Sequence, residues 1–167
     1  MNTKLALIFG IFVLANQLHA QVSNPSGAWR QQSIAWGDAP PELEEDERQG
    51  QAAILYFGPD HQFALIYASV IQMPSKCIEH VSVGDGQVVY LGKWKLDSGG
   101  VSVNYQLVSR TIQIKGEHIP GAFVTGLIRF KNSTLSFQNE TFERDRMLDE
   151  DVRTVVRSAE GILRVIH

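Results

Sequence analysis

Residues 86–108 contain the pattern that most constrains the fold of this 167-residue chain. Apolar side chains alternate with more polar ones over two successive runs, and the turn-forming stretch 97–100 separates the runs. The alternating apolar positions are Val88, Tyr90, Trp94 and Leu96 in the first run and Val101, Val103, Tyr105 and Leu107 in the second. Because successive side chains on a strand point to opposite faces, this pattern predicts a β-hairpin with one apolar face.

Further strand patterns follow one another at short intervals along the chain. They cover residues 27–36, 51–57, 62–71, 110–115, 121–131 and 134–142. Residues 73–86 show no clear periodicity. About eight short strands with turn residues between neighbours predict an all-β fold. Closing them into an antiparallel up-and-down β-barrel removes the exposed edges that an open sheet would have.

The period of the apolar positions changes near the end of the chain. Acidic residues at 149–151 suit the N-terminus of a helix. The apolar positions that follow lie on one face of a helix: Val152, Val155, Val156 and Ala159. The pattern predicts an amphipathic helix over residues 149–160 that ends at Gly161 and packs against the barrel wall. Residues 162–166 are then expected to form one last short strand.

The first 20 residues have the composition of a secretory signal peptide. Lys4 precedes an apolar run over residues 5–14, and Ala20 supplies a small residue at the expected cleavage position. The prediction is a mature domain over residues 21–167 that is secreted or periplasmic. No run of about 18 apolar residues follows, so no membrane-spanning helix is predicted in the mature chain.

Charge and composition exclude one class of partner. The chain has 15 Lys and Arg residues against 18 Asp and Glu residues, and the basic residues are scattered. A surface that binds nucleic acid would need a basic cluster, so no nucleic-acid partner is predicted.

Cys77 is the single cysteine, so no internal disulfide can form. It is interpreted as a buried apolar residue, with a reactive thiol or an intermolecular bridge as the alternatives. Cys77, Glu79 and His80 lie within four residues, but a zinc site needs three or four convergent ligands. Neither a metal nor a cofactor is predicted.

Residues 38–50 form an acidic, proline-containing stretch between two predicted strands. The stretch is predicted to be a solvated surface connection. The alternative is a lid over one end of the barrel, since long connections in compact domains are often functional.

Two short motifs give the chain a resemblance to a known family. Gly27-Ala28-Trp29 opens the first strand, and Phe142-Glu143-Arg144 follows the last strand of the meander. With the C-terminal helix, this order resembles the lipocalin or calycin superfamily, in particular bacterial lipocalin-like domains. The resemblance implies that Trp29 closes one barrel end and that Arg144 packs across its indole ring, where cation–π attraction is favourable. An ordinary core position for Trp29 is the alternative.

The interior of an eight-stranded barrel is either filled by side chains or holds one small ligand. The aromatic residues that share the inward register are the predicted lining: Tyr67, Tyr90, Trp94, Tyr105 and Phe137. The first hypothesis is a binding protein for a small apolar molecule. The second is a small enzyme, an isomerase, cyclase or hydrolase, that uses Tyr or His as general acid or base. The third hypothesis is an envelope interaction protein with a filled barrel and no ligand. The sequence shows no catalytic motif.

Overall fold

The computed structural model describes residues 24–37, 47–83, 88–109, 122–131 and 133–166. These residues form ten strands and one α-helix. The strands are β1 (Gly27–Gln31), β2 (Ala35–Trp36), β3 (Arg48–Phe57), β4 (Gln62–Met73), β5 (Ile78–Ser82), β6 (Val88–Asp97), β7 (Gly100–Ser109), β8 (Val124–Lys131), β9 (Thr134–Phe137) and β10 (Glu140–Arg144), and the helix is α1 (Asp149–Ile166). Two short 3₁₀ turns, Pro74–Lys76 and Arg146–Leu148, precede β5 and α1.

Eight of these strands form a closed antiparallel barrel. Strand β1 is hydrogen-bonded to β3 on one side and to β10 on the other, and the remaining strands complete the ring in the order β4, β6, β7, β8 and β9. Strands β2 and β5 pair with the ends of β3 and β4 beyond this ring. The predicted barrel with a C-terminal helix is confirmed.

Several predicted strand boundaries were wrong. The predicted strand over 27–36 is interrupted after Gln31, and β5 lies in the stretch 73–86 that showed no periodicity. The predicted strand over 134–142 is two strands, because Gln138 and Asn139 turn the chain with φ angles of 51° and 68°. Asn visits this left-handed region more readily than most residues do, so a turn without glycine or proline was missed.

Three predicted segments fall wholly or partly beyond the residues that the structure describes. The predicted signal peptide over 1–20 and the predicted strand over 110–115 lie outside them, and so do residues 38–46 of the predicted acidic connection. The end of that connection was placed wrongly, because strand β3 already begins at Arg48.

The central hairpin has the predicted register. Trp94 of β6 lies directly opposite Val103 of β7, and the exposed side chains of Lys93, Lys95 and Asn104 lie on the outer face. The inward residues join one interior cluster: Ala53, Leu55, Phe57, Phe63, Leu65, Trp94, Val101, Val103, Tyr105, Ile128, Leu135, Phe137 and Phe142. Burying side chains of this size stabilises the fold by about 1.5–3 kcal/mol each.

A second core lies on the outer wall of the barrel, beneath α1. Val152, Val156 and Ala159 of the helix are buried in one cluster with Ala64 and Ala68 of β4. Strand β4 therefore buries both faces along its middle, which explains why both of its faces are apolar in the sequence. The prediction that the helix packs against the barrel wall is confirmed.

Helix α1 continues past the predicted end at Gly161 and reaches Ile166. Residues 162–166 are helical, so the predicted last strand was wrong. Glycine ends a helix when it adopts a left-handed conformation. The backbone of Gly161 does not lie in that region, and a helical glycine costs only about 1 kcal/mol relative to alanine. Within the described residues, no helix combines the length and apolar composition needed to cross a membrane.

Gly161→Ala tests this continuation. An added Cβ at position 161 meets no atom within 4 Å, so the substitution should raise the free energy of unfolding by about 0.5–1 kcal/mol through helix propensity. Urea denaturation followed by circular dichroism measures the change. A loss of stability would mean that Gly161 is a left-handed C-terminal cap after all.

Candidate binding site at the tyrosine end of the barrel

The two ends of the barrel differ in chemistry. At one end, β1 begins at Gly27, directly opposite Phe57 of β3. Arg144 and Asp149 also lie at this end, which we call the clamped end. The opposite half of the interior contains Tyr67 and Tyr90, and we call it the tyrosine end.

Four of the five predicted lining residues lie in continuous ring contact at the tyrosine end. The ring centroids of Tyr67 and Tyr90 are 6.4 Å apart, and those of Tyr90 and Tyr105 are 5.8 Å apart. Phe137 lies 6.2 Å from Tyr105. All three pairs have the edge-on geometry that aromatic quadrupoles favour.

The exposure of these rings differs systematically. Tyr105 and Phe137 are buried, and we call them the floor. Tyr67 and Tyr90 pack on the same interior cluster but are only partly buried. Solvent therefore reaches inward-facing rings at this end, whereas Phe57 and Phe63, towards the clamped end, are fully buried.

Two small residues widen the interior beside these rings. Ala53 lies directly opposite Tyr67 and belongs to the interior cluster. A Cβ added at Gly126 would stand 2.6 Å from the ring of Phe137, so glycine there lets the ring lie flat against the strand. The alanines at positions 64 and 68 have another role, because they face α1 on the outer wall.

Polar groups surround the rings. The Gln138 side chain donates a hydrogen bond to the Tyr105 hydroxyl over 3.3 Å, and the Gln31 carbonyl oxygen accepts one from the Ala53 N–H over 2.9 Å. The Ser33 hydroxyl donates to Glu140 over 2.6 Å. That hydrogen bond, with one from Gln31, lowers the pKa of Glu140 below its usual value.

The hydroxyls of Tyr67 and Tyr105 are held in their neutral form. Burial raises the pKa of Tyr67, and the neighbouring Tyr90 raises it further. Burial also raises the pKa of Tyr105, with added contributions from Tyr67 and Tyr90, against a smaller opposing effect of the Gln138 hydrogen bond. Near neutral pH, each phenol can therefore both donate and accept a hydrogen bond.

Trp94, the fifth predicted lining residue, lies apart from the tyrosines. Its ring makes edge contacts with Phe57 at 6.0 Å and with His61 at 4.9 Å. It thus belongs to the clamped end, although it shares the inward register. Alternation gives only the face of a strand, and the predicted lining was grouped by face alone. Trp94 lies four residues beyond Tyr90 on β6, which at about 3.3 Å per residue places it about 13 Å further along the strand.

Trp29 and Arg144, the predicted seal, are directly opposite each other on β1 and β10. The Trp29 indole N–H donates to the Pro25 carbonyl over 2.6 Å. The Arg144 guanidinium donates to Asp149 over 2.6 Å and to the Ala28 carbonyl over 2.9 Å. Hydrogen bonds and an ion pair thus fix Arg144 beside strand β1.

Asp149 binds both Ala28 and Arg144, and we call Asp149 and Arg144 the clamp. The sequence did not identify this role of Asp149. One carboxylate oxygen accepts from the Ala28 N–H over 2.8 Å, and the other accepts from Arg144. Burial alone would raise the pKa of Asp149, but these hydrogen bonds outweigh it and hold the pKa below the ordinary 3.8. Its position at the start of a predicted helix was visible, but its tertiary partners were not.

The short segment with Cys77, Glu79 and His80 does not converge on a metal site. Cys77 is exposed at the end of a 3₁₀ turn, and Glu79 forms an ion pair with Arg30. Among the residues that the structure describes, no three His, Cys, Asp or Glu side chains group closely enough to hold a metal ion. The interpretation of Cys77 as a buried residue was wrong, because its place after the turn leaves it in solvent.

Asp149→Ala tests the clamp. The substitution leaves the Ala28 N–H and the Arg144 guanidinium without their shared acceptor, so the free energy of unfolding should fall by about 1–3 kcal/mol. Asp151→Ala, an exposed acidic position in the same helical turn, is the matched control and should change stability far less. Equal effects of the two substitutions in urea denaturation would show that the clamp contributes nothing beyond helix-terminal charge.

The clamp also predicts a pH dependence. Because folding lowers the pKa of Asp149, its stabilising effect is present above the ordinary pKa of 3.8 and is lost as the pH falls through the lower folded value. The stability difference between the wild type and Asp149→Asn should therefore be largest at neutral pH and should shrink under acidic conditions. Unfolding curves at several pH values measure this difference, and a pH-independent difference contradicts the assignment.

Comparisons of the chain with protein-family models, curated proteins and solved structures gave no match.

Proposed function

We propose that this chain is an exported binding protein, of lipocalin-like type, that holds a small and largely apolar molecule at the tyrosine end of its barrel. The observation that carries the proposal is the partial exposure of Tyr67 and Tyr90, whose rings face the interior. In a filled barrel, inward rings are sealed by their neighbours, as Phe57 and Phe63 are here.

The chemistry of this half suits such a ligand. Tyr105 and Phe137 offer an apolar floor, and the partly exposed faces of Tyr67 and Tyr90 offer walls. Ligand sites of this kind combine apolar surface with a few polar groups that fix orientation. The neutral phenols and the Gln138 amide supply those polar groups. The occupant we infer is a flat or branched apolar molecule that carries one or two oxygen atoms.

The sequence supports the other two parts of the proposal. Residues 1–20 have the composition of a signal peptide. The Gly27-Ala28-Trp29 and Phe142-Glu143-Arg144 motifs occupy β1 and the end of β10, the two strands that pair to close the barrel. That placement supports the lipocalin-like resemblance, in which the same two motifs meet at one end.

A barrel enzyme is less well supported by the geometry. General acid–base chemistry in the barrel would need a second titratable group within reach of a tyrosine. Of the described histidines, His61 contacts Trp94 at the clamped end and His80 is exposed on β5. Neither lies with the tyrosines. Glu140 lies at this end, but its carboxylate is engaged by hydrogen bonds from Ser33 and Gln31. Binding is therefore the function that the described residues favour.

Fluorescence titration with N-phenyl-1-naphthylamine, a neutral apolar dye, tests the proposal. The wild-type chain should bind the dye saturably, and Tyr67→Ala and Tyr90→Ala should each weaken binding on the order of tenfold, because each removes one aromatic wall. Tyr67→Phe should bind nearly as the wild type does, since it keeps the ring. Tyr56→Phe, at a tyrosine in the cluster under α1, is the matched control.

Two results would contradict the proposal. Absence of saturable dye binding by the folded wild type would indicate a filled barrel. Binding that both alanine substitutions leave unchanged would place the site elsewhere on the chain.

Native mass spectrometry of protein purified from its own host identifies a retained ligand by its mass.

A further inference from the structure

A cleft lies at the clamped end, away from the tyrosines. It has a volume of about 890 Å³ and lies between the turn that joins β3 to β4, the middle of β6 and the exposed face of α1. Four cationic side chains and three carboxylates line it, in a chain whose formal net charge is −3. By this count the cleft wall carries one more positive than negative charge.

Most of the cleft's charged groups are already paired. Arg144 forms its ion pair with Asp149, and Arg153 forms one with Glu150 at 2.7 Å. Arg157 lies one helical turn after Arg153, and no ion pair or hydrogen bond engages its guanidinium within the described residues. Arg157 is therefore a free cation on the cleft wall.

The remaining polar groups of the cleft supply mainly donors. Lys93 gives one of its three N–H groups to the Asp60 carbonyl oxygen over 3.1 Å, which leaves two for other partners. The Glu160 carboxylate already accepts a hydrogen bond from Gln62. The Asp60 carboxylate also lines the cleft and is an acceptor. The cleft therefore has unused donors beside this carboxylate.

Trp94 adds a neutral donor. The residue lines the cleft, is only 8 % exposed, and its indole N–H is buried without a hydrogen-bond partner in the described part of the chain. An indole nitrogen can only donate. A buried donor without a partner is rare and calls for an explanation such as an absent ligand or water.

The turn that joins β3 to β4 places the imidazole ring of His61 beside Trp94. His61 adopts a φ of 59°, its carbonyl oxygen accepts from the Trp94 backbone N–H over 2.9 Å, and its imidazole contacts the indole ring. A left-handed conformation is uncommon for histidine. The backbone hydrogen bond and the ring contact with Trp94 keep the imidazole on the cleft wall.

We propose that this cleft binds a small oxyanion, a carboxylate or a phosphate, with Arg157 as its charged donor and the Trp94 indole N–H as its neutral donor. The guanidinium fork matches the two oxygens of either group. The acceptor-only character of an oxyanion complements these two donors. The site is independent of the apolar ligand at the tyrosine end.

Isothermal titration of the full chain with sodium phosphate and, separately, with sodium acetate tests this site, with sodium chloride holding the ionic strength constant. At least one of the two anions should bind saturably, and their relative affinities identify the preferred oxyanion. Arg157→Ala should weaken that binding about tenfold, the scale of one lost charge-assisted hydrogen bond. Trp94→Phe should weaken it several-fold, because it keeps an aromatic ring but removes the N–H.

Arg129→Ala, an exposed arginine of β8 that does not line the cleft, is the matched control and should bind as the wild type does. Saturable binding of neither anion overturns the proposal. So does binding that Arg157→Ala leaves unchanged. Because Arg157 is exposed, this variant should fold even if Trp94→Phe does not.

Discussion

The pairing of β1 with both β3 and β10 is the constraint on which the rest of the molecule depends. A sheet of this length would otherwise present two unpaired edges, and every backbone group along them would need another partner. Only five residues, 27–31, complete the ring. Their position is also fixed by side chains, because the Asp149 carboxylate accepts from the Ala28 N–H and the Arg144 guanidinium donates to the Ala28 carbonyl. The same contact of Asp149 with Ala28 thus anchors the start of α1 and the strand that closes the ring.

The packing of α1 follows from the same arrangement. The helix begins at Asp149, so its direction is set where it leaves the clamp, and its apolar face meets the outer wall formed by β4 and neighbouring strands. Alanines at positions 64 and 68 bring the helix backbone close to that wall. Strand β4 consequently carries Phe63 and Leu65 inward and Ala64, Ile66 and Ala68 outward, and both sets are buried. A larger residue at either alanine would push the helix away from the closure that it stabilises.

The sequence predicted well those features that depend on local periodicity. The central hairpin, its inward register and the amphipathic face of α1 all follow from side-chain spacing alone, and from these the barrel follows as the way to bury the strands. Boundaries were less predictable where a turn used Gln138 and Asn139, or where Gly161 stayed helical, because tertiary packing decides both cases.

The candidate site was predictable only in part. Alternation identified four rings that meet at the tyrosine end, since all of them share one face of the sheet. It could not show that Trp94 lies at the other end, or that Arg144 binds a carboxylate on α1, because contacts between residues distant in the chain leave no local pattern. The same reason applies to the buried N–H of Trp94 and to the unpaired Arg157. Whether a side chain finds a partner depends on neighbours that the fold brings together.

The separation of the clamp from the tyrosine rings has a consequence for how this protein can diverge. Tyr67 and Tyr90 are partly exposed and make no hydrogen bond to the clamp residues, so selection can exchange them for other side chains at little cost to folding. Ring closure, by contrast, tolerates few alternatives at Gly27, where a Cβ would stand 2.0 Å from the guanidinium of Arg144. The side chains at the tyrosine end can therefore change while the architecture stays the same.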